Sequence, residues 1–236
     1  MTSGPPTPSF DLAEAIKHLS TGDEKLKLLI AETAPFQMDQ DHLQSPYEAL
    51  LEAIVYQSIS GKAAATIFAR IKALSSTGRA PTPQEIAKLR KQTLRKAGLS
   101  GAKAEAMKDL AKKTIEGIVP TLEEAQTLSD EELVERLTSV RGIGAWTVEM
   151  FLIFRLGRPD VLPIHDLGVK KGWSITYNKK HMPKPKELLK FGERWRPYRT
   201  VASWYMWRAC QKAGNAAMRK IRPAKIRKRK PTRQKK

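Results

Sequence analysis

Cysteine, acidic side chains and long apolar runs are scarce in this 236-residue sequence. Its one cysteine, Cys210, excludes an intramolecular disulfide and a cysteine-rich zinc or iron–sulfur site, and it fits a reducing compartment. No apolar stretch reaches the length of a membrane-spanning helix, and the N-terminal MTSGPPTPSF lacks the apolar core of a secretory signal. We therefore expect a soluble intracellular protein with no membrane partner.

Basic residues are abundant: 43 Lys and Arg against 24 Asp and Glu give a net charge of +19 and a pI near 10.1. This imbalance points to a polyanionic partner. The excess is uneven, because twelve Lys and Arg and no acidic residue lie from Lys212 onward, which leaves +7 for the rest of the chain. The run KIRKRK, residues 225–230, is a nuclear-localisation candidate or a non-specific DNA arm; a solvated tail with neither role also fits.

Apolar residues recur with helical spacing along most of the chain, and no useful stretch alternates with period two. The prediction is an all-α fold. We divide the chain into a disordered leader (1–9), a helical domain (10–214) and a basic C-terminal tail (215–236). Residue pairs typical of helix starts are Ser45-Pro46 and Thr82-Pro83. Late helices are expected over 167–173, 185–195 and 200–214.

The central stretch reads as a helix, a glycine turn and a second helix. Ser129 followed by Glu132 is a capping-box start, and an apolar stripe continues to Val140. The turn Arg141-Gly142-Ile143-Gly144 follows, and its glycines permit positive φ and close backbone approach. The next helix begins at Ala145, so its free N–H groups favour an anion such as phosphate. A plain helical hairpin explains the same pattern.

A single acid follows this hairpin by about twenty residues. The Gly- and Pro-containing turn 157–168 places Asp166 directly before another helix. From the residues alone, an aspartate in this position is most often a helix N-cap. The second interpretation is a carboxylate that stabilises positive charge during a reaction.

Together, the hairpin, the turn with its aspartate and the later Arg194-Trp195-Arg196-Pro197-Tyr198-Arg199 resemble the helix-hairpin-helix DNA glycosylases, and most of all their alkylbase (3-methyladenine) branch. The resemblance covers roughly residues 46–211. It implies two helical lobes with the active-site cleft between them. It also implies an enzyme that flips alkylated purines out of duplex DNA and hydrolyses the N-glycosidic bond, leaving an abasic site. The arginine- and tryptophan-rich segment would dock the final helix.

The resemblance assigns chemical roles to individual residues. Asp166 would be the catalytic carboxylate, with His165 at a position where many relatives carry a second aspartate. Trp146 stands where strand-nicking relatives have a nucleophilic lysine, which implies a monofunctional enzyme. Trp146, Met150 and Trp207 would form the base pocket, because aromatic faces attract a cationic methylated purine. The other interpretation is that both tryptophans are ordinary core residues.

The resemblance also places the contacts to DNA. The loop Gln57-Ser58-Ile59-Ser60 would fill the gap left by the extruded nucleotide; Ser58 is too short for this, so Gln57 or Ile59 would compensate. A simple Ser/Gly break between helices fits this turn equally well. A phosphate would bind the backbone N–H groups of Gly142, Gly144 and Thr147. Arg141 and Lys170, with its neighbour Lys171, would flank the cleft. Backbone carbonyls of Thr138, Val140 and Ile143 would hold a structural Na⁺ or K⁺, and no cofactor is required for catalysis.

Two other functions remain open from the sequence. One is a non-catalytic helix-hairpin-helix protein that binds damaged DNA, for which His165, Ser58 and Met150 leave room. The other is a glycosylase for a different lesion, such as an oxidised or deaminated base. In every case the expected partner is duplex DNA containing damaged bases, bound by a monomer. The basic tail predicts the nucleus if the source is eukaryotic, and the cytoplasm otherwise.

Overall fold

A computed structural model describes residues 10–37 and 45–221, with the side chains of 215–221 excepted. These residues form thirteen α-helices and no strand, so the all-α prediction is confirmed. The helices are α1 Leu12–Gly22, α2 Glu24–Ala31, α3 Pro46–Tyr56, α4 Gly61–Lys72, α5 Pro83–Lys88, α6 Lys91–Lys96, α7 Gly101–Ile115, α8 Leu122–Thr127, α9 Asp130–Thr138, α10 Ala145–Phe154, α11 Leu167–Thr176, α12 Pro185–Gly192 and α13 Arg199–Ile221.

Side-chain caps determine where most of these helices begin. Ser45, Thr82 and Ser129 each form a reciprocal capping box with a glutamate three residues later. In the box before α9, the Ser129 amide donates to Glu132 Oε2 at 2.9 Å and the Glu132 amide donates to Ser129 Oγ at 3.2 Å. Such caps satisfy N–H groups that have no partner within the helix. The predicted helix starts are therefore confirmed at all three positions.

Two separate apolar cores divide the helices into two lobes. The hairpin lobe, residues 45–161, contains α3 to α10 around fully buried side chains such as Leu51, Ile54 and Met107. The terminal lobe joins α1 and α2 to α11, α12 and α13 around Trp195 and other buried residues. The terminal lobe therefore combines the two ends of the described chain. The prediction of two helical lobes is confirmed.

The last helix is fixed at the junction of the lobes by one acid. Asp160 Oδ1 accepts a 2.7 Å hydrogen bond from Arg199 Nε, and Asp160 Oδ2 accepts one of 2.6 Å from Arg196 Nη1. Trp195 is fully buried beside them. These contacts agree with the docking role expected of this segment. They set the start of α13 and hence the direction in which it carries Trp207.

The predicted end segments lie largely outside the described residues. This holds for the leader (1–9) and for the last fifteen residues of the tail, including KIRKRK. The helix α13 continues to Ile221, seven residues past the predicted helix end at Gly214. No membrane-spanning helix is found among the residues that the structure describes.

Candidate active site

Asp166 lies where the two lobes meet, and three N–H groups hold its carboxylate. Oδ1 accepts hydrogen bonds of 2.8 Å from the Val169 amide and from Trp207 Nε1. Oδ2 accepts a 2.8 Å bond from Trp146 Nε1, across the lobe boundary. Asp166 is thus the N-cap of α11, as its position predicts, and also a fixed anion between two indoles. The two interpretations drawn from the sequence are compatible.

A glycine allows Trp207 to approach this carboxylate. A Cβ atom at Gly168 would lie 2.7 Å from Trp207 Cδ1, closer than real Cβ contacts, and 3.1 Å from Asp166 Oδ1, tighter than most of them. Trp207 also stacks on Phe154, with ring centroids 5.6 Å apart and planes 25° from parallel. Its ring packs against the cores of both lobes. Position 168, the second residue of α11, therefore requires a glycine for steric reasons.

A cleft of about 750 Å³ opens beside Trp146 and is lined only by residues of the hairpin lobe. Trp146, Met150 and Phe154, spaced four residues apart on one face of α10, form one wall. Tyr56 contributes from α3 on another side. Trp146 is 47% exposed, which does not fit the alternative that it is an ordinary core residue. Two of the three predicted pocket residues line the cleft, and Trp207 adjoins it through Phe154.

Three residues near Asp166 and the cleft were not predicted from the sequence to belong to the site. Phe154 repeats the spacing of Trp146 and Met150, so the helical stripe could have revealed it. Glu149 is the one acid in the apolar helix AWTVEMFLIF, and that contrast was also a usable signal. Leu167 follows Asp166 and is 68% exposed, and no sequence pattern indicated that this side chain would be exposed at the site.

Glu149 is a second carboxyl group near Asp166. Its Oε2 atom is buried and has no hydrogen-bond partner among the described residues. Burial, with a smaller contribution from the Asp166 carboxylate, raises the pKa of Glu149 to about 7. At neutral pH a large part of Glu149 is therefore uncharged, and the negative charge at this site belongs chiefly to Asp166.

The turn between α3 and α4 presents one apolar side chain. The Gln57 amide group does not project freely, because Nε2 donates to the Gly142 carbonyl at 3.0 Å. Ser58 adopts a left-handed φ of 57°, which is uncommon for a residue other than glycine. Ile59 is 39% exposed. Of the two residues expected to compensate for the short Ser58, Ile59 is the exposed apolar one, whereas Gln57 links the turn to the hairpin.

The hairpin has the expected shape with one correction. Gly142 needs positive φ (77°), whereas Gly144 is extended and is the N-cap of α10. A Cβ atom at Gly144 would meet nothing within 4 Å, so its surroundings are open. The Thr147 amide donates to the Gly144 carbonyl at 2.9 Å, so in this geometry it is already paired within the hairpin. The Gly142 and Gly144 amides make no such internal bond in the described residues.

The carbonyls predicted to hold a cation belong to this turn or lie directly before it. The Val140 carbonyl accepts from the Ile143 amide at 3.0 Å, while the carbonyls of Thr138 and Ile143 accept no hydrogen bond from the described chain. These oxygens suit a monovalent cation, and the described residues contain no cluster of His, Cys, Asp and Glu side chains for a transition metal.

The basic residues predicted to flank the cleft are accessible to different degrees. The Arg141 side chain is 65% exposed and 3.8 Å from Glu105. Lys170 is half-buried on α11, four residues after Asp166, and His165 is exposed.

Comparison with known proteins gives consistent similarities. Residues 51–197 match the family model of the HhH-GPD superfamily of base excision DNA repair proteins. The chain is 40% identical to DNA-3-methyladenine glycosylase 1 of Schizosaccharomyces pombe over 215 residues, which cover 91% of this chain and 93% of that protein.

Two solved structures have a similar fold. The S. pombe 3-methyladenine DNA glycosylase (Mag1) in complex with abasic DNA matches with a TM-score of 0.74 and 41% identity, over 83% of this chain and 95% of that one. A DNA-3-methyladenine glycosidase from Bacillus halodurans matches with a TM-score of 0.78 and 30% identity, over 89% and 94% of the two chains.

Proposed function

Because the chain belongs to the HhH-GPD superfamily of base excision DNA repair proteins, we propose that it is a monofunctional DNA glycosylase for alkylated purines. Its substrate would be duplex DNA carrying a lesion of the 3-methyladenine or 7-methylguanine type, and its product an abasic site. The observation that carries the proposal is the carboxylate of Asp166, fixed by three N–H groups beside an aromatic cleft.

Asp166 supplies the negative charge for the reaction. Breaking an N-glycosidic bond leaves an oxocarbenium-like sugar, and a nearby fixed anion stabilises that positive charge. The indoles of Trp146 and Trp207 hold both oxygens in place, so little reorganisation is needed when the charge develops. An alkylated purine is already cationic and leaves readily, which is consistent with a site that has one ionised carboxylate and a water nucleophile.

The aromatic side chains around the cleft suit a flat cationic base. Trp146 offers an indole ring and Met150 a polarisable sulfur at the wall of the cleft, and the Trp207 indole adjoins the cleft through Phe154. An aromatic face attracts a cation by about 0.5–2 kcal/mol, depending on how well water is excluded. This selects alkylated over unmodified purines, because only the alkylated base carries the charge.

Trp146 also determines the type of glycosylase. A strand-nicking enzyme needs an amine that attacks the sugar, and Trp146 has none. The nearest lysine along the sequence after Asp166, Lys170, is a full helical turn away on α11. The proposed reaction therefore stops at the abasic site.

The hairpin binds the DNA backbone. The amides of Gly142 and Gly144 lie at the N-terminus of α10, where the helix dipole favours a phosphate. A Na⁺ or K⁺ held by the carbonyls of Thr138, Val140 and Ile143 would add positive charge there and would take no part in the chemistry. Arg141 and Lys170 supply further contacts to phosphates on either side of the cleft.

The turn at 57–59 is the proposed occupant of the hole left by the flipped nucleotide. Ile59 enters the base stack, Ser58 shapes the turn through its left-handed backbone, and Gln57 anchors it to Gly142. An apolar wedge of this kind offsets part of the cost of unstacking a base. The enzyme acts as a monomer, and its basic tail directs it to the nucleus if the source is eukaryotic.

The test compares the wild type with Asp166→Asn for release of 3-methyladenine and 7-methylguanine from alkylated duplex DNA. We expect the wild type to release both, and Asp166→Asn to be slower by at least about 10²–10³-fold, as for the loss of one electrostatic catalytic group. Binding to duplex DNA should be unchanged or tighter, since a negative charge near phosphates is removed.

The matched control is Asp11→Asn, because Asp11 caps α1 with its side chain as Asp166 caps α11 but lies in the first helix of the terminal lobe. Wild-type turnover by Asp166→Asn contradicts the assignment. No release by either protein, with DNA still bound, would favour the non-catalytic binding protein. Release only of oxidised or deaminated bases from a panel of single-lesion duplexes would favour the other glycosylase.

A further inference from the structure

Helix α7 lies behind both loops that are proposed to touch DNA. One loop is the turn 57–60 and the other is the hairpin 139–144, and they are some eighty residues apart in the sequence. Lys103, Ala106, Asp109 and Lys113 are spaced by three or four residues along α7 and so share one face. Each of the four contacts one of the two loops or supports a contact to it.

Lys103 holds the turn. Its Nζ donates to the carbonyls of Val55 at 2.8 Å and of Gln57 at 2.6 Å, at the C-terminal end of α3. An ammonium group in this position satisfies carbonyls that the helix leaves unpaired and complements the helix dipole. Burial lowers the pKa of Lys103 below its usual range. The side chain is thus committed to the turn and does not extend into solvent.

Asp109 and Lys113 hold the hairpin from the same helix. Asp109 Oδ2 accepts a 2.7 Å hydrogen bond from the Arg141 amide and lies 3.1 Å from Lys113 Nζ. Lys113 also donates to the Ser139 carbonyl. The Ala106 methyl group would lie 3.4 Å from a Cβ at Gly142, at van der Waals distance, so α7 lies directly against the hairpin.

A third link connects the two loops directly, through the 3.0 Å bond from Gln57 Nε2 to the Gly142 carbonyl. The turn is therefore bonded to α7 and to the hairpin, and the hairpin is bonded to α7. In this closed arrangement the position of Ile59 relative to the phosphate-binding amides is fixed before DNA arrives. Lys103 is the connection that joins the turn to the common support.

We propose that Lys103 is a positioning residue for base extrusion, which keeps the turn in register with the hairpin so that Ile59 enters the duplex where the damaged base leaves. This rests on the proposed function. Without the ammonium group the carbonyls of Val55 and Gln57 lose their donor and the turn relaxes. A displacement of about 1 Å in a positioned group can cost about 10²-fold in rate.

The loss depends on the substrate. In a duplex, Ile59 must occupy the space of the extruded nucleotide, so a misplaced turn slows extrusion. In a single-stranded substrate the base has no partner to leave, and the wedge is not needed. The proposal therefore predicts a defect on duplex DNA that largely disappears when the same lesion is already unpaired.

Lys108 provides a matched control on the same helix. Its Nζ donates to the carbonyls of Ile86, Ala87 and Leu89 at 3.1, 2.6 and 2.7 Å, so it also caps the end of a helix, here α5. Neither proposed DNA loop is involved. Lys108→Met therefore removes the same kind of interaction, at a place that only stabilises the fold.

The experiment measures single-turnover release of 7-methylguanine by wild type, Lys103→Met and Lys108→Met, from a duplex and from the same strand alone, with protein in excess and thermal melting recorded. Lys103→Met is expected to be slower by about 10- to 100-fold on the duplex and by less than about 3-fold on the single strand. Lys108→Met is expected to change the two rates by equal factors.

Equal losses by Lys103→Met on both substrates, or the same duplex-specific loss in Lys108→Met, would overturn the proposal. If Lys103→Met does not fold, Gln57→Met removes the neighbouring link, and equal losses on the two substrates would again overturn it. Failure of the proposed function is distinct, because the wild type itself would release no base. In that case a 2-aminopurine placed in the duplex still reports base extrusion, and Lys103→Met must lower its fluorescence rise relative to Lys108→Met.

Discussion

Asp166 combines two roles in one carboxylate. As the cap of α11 it accepts a hydrogen bond from the Val169 amide. As a fixed anion it accepts hydrogen bonds from the indole N–H groups of Trp146 and Trp207. Aspartate is favoured for both roles, since a short acceptor side chain suits a cap and a permanent charge suits catalysis. Any substitution at 166 changes helix stability and chemistry together, which is why its effect on activity needs a control at another capping aspartate.

Glu149 should make the stability of the protein depend on pH. Its pKa is raised by burial to about 7, so between about 4.5 and 7 the folded state keeps a proton that the unfolded state has lost. The free energy of unfolding therefore decreases as pH rises through this window and levels off above it. Glu149→Gln removes the ionisation. Allowing for partial solvent screening, we expect this variant to gain about 1–2 kcal/mol over the wild type between pH 4.5 and pH 8.

Urea unfolding of both proteins at several pH values measures this difference. Glu135→Gln, an exposed carboxylate on α9, controls for the chemical change itself. A difference between wild type and Glu149→Gln that stays constant from pH 4.5 to 8 would contradict the prediction.

Helices α11 and α13 together set the distance between Asp166 and Trp207, since Asp166 caps the start of α11 and α13 carries Trp207. They approach closely at Gly172, where a Cβ atom would lie 1.9 Å from the Met206 carbonyl oxygen. The obstacle is backbone, so the helices must separate to accept a methyl group. We predict that Gly172→Ala destabilises the protein by about 1–3 kcal/mol. It should also reduce base release by moving Trp207 away from Asp166.

Gly214→Ala is the comparison, because a Cβ at Gly214 in α13 meets nothing within 4 Å. Alanine is the better helix former by about 0.5–1 kcal/mol, so this variant should be neutral or stabilised. Denaturant midpoints and release rates are measured for both. Similar effects of the two substitutions would show that the close approach at Gly172 has no energetic consequence.

Helix boundaries lie where the sequence predicts them at positions that carry a capping residue or a proline. Capping residues and prolines set the starts of α3, α5 and α9 as predicted. The expected helix 185–195 is instead α12 followed by a 3₁₀ turn over Glu193–Trp195, and Arg196 before Pro197 is extended (ψ 141°). The end of α13 was predicted too early, because Gly214 is tolerated within the helix and the residues after it favour helix.

For the whole molecule, the charge distribution predicts how DNA binding responds to salt. Nine Lys and Arg follow Ile221, so a chain ending at Ile221 lacks them without shortening α13. If the tail is a DNA arm, the slope of log K against log salt should become shallower by about 0.9 for each phosphate that the tail had neutralised. The single-turnover rate at saturating protein should not change, since the described residues that line the cleft lie between Ala49 and Arg155.

A tail of equal length with glutamine at the nine basic positions separates charge from length. It should behave like the truncated chain in the salt titration. An unchanged slope in both variants would mean that the tail is not a DNA arm, and would leave nuclear targeting or a solvated tail with neither role.

The sequence by itself determined the elements and their order. Caps, apolar stripes and the glycine hairpin act within a few residues, so the all-α class, the helix starts and the place of Asp166 before a helix are encoded locally. The resemblance of the motifs supplied the two lobes and the candidate residues. These parts need no knowledge of long-range packing.

Only the tertiary structure decided how distant residues meet. Trp146 and Trp207 lie 20 and 41 residues from Asp166 in the chain, and their indoles reach the carboxylate because two lobes pack against each other and Gly168 leaves room. The raised pKa of Glu149 follows from burial, and the role of Lys103 from two loops that share α7. Burial and contacts across the fold arise from the summed packing of both cores, which no local pattern specifies.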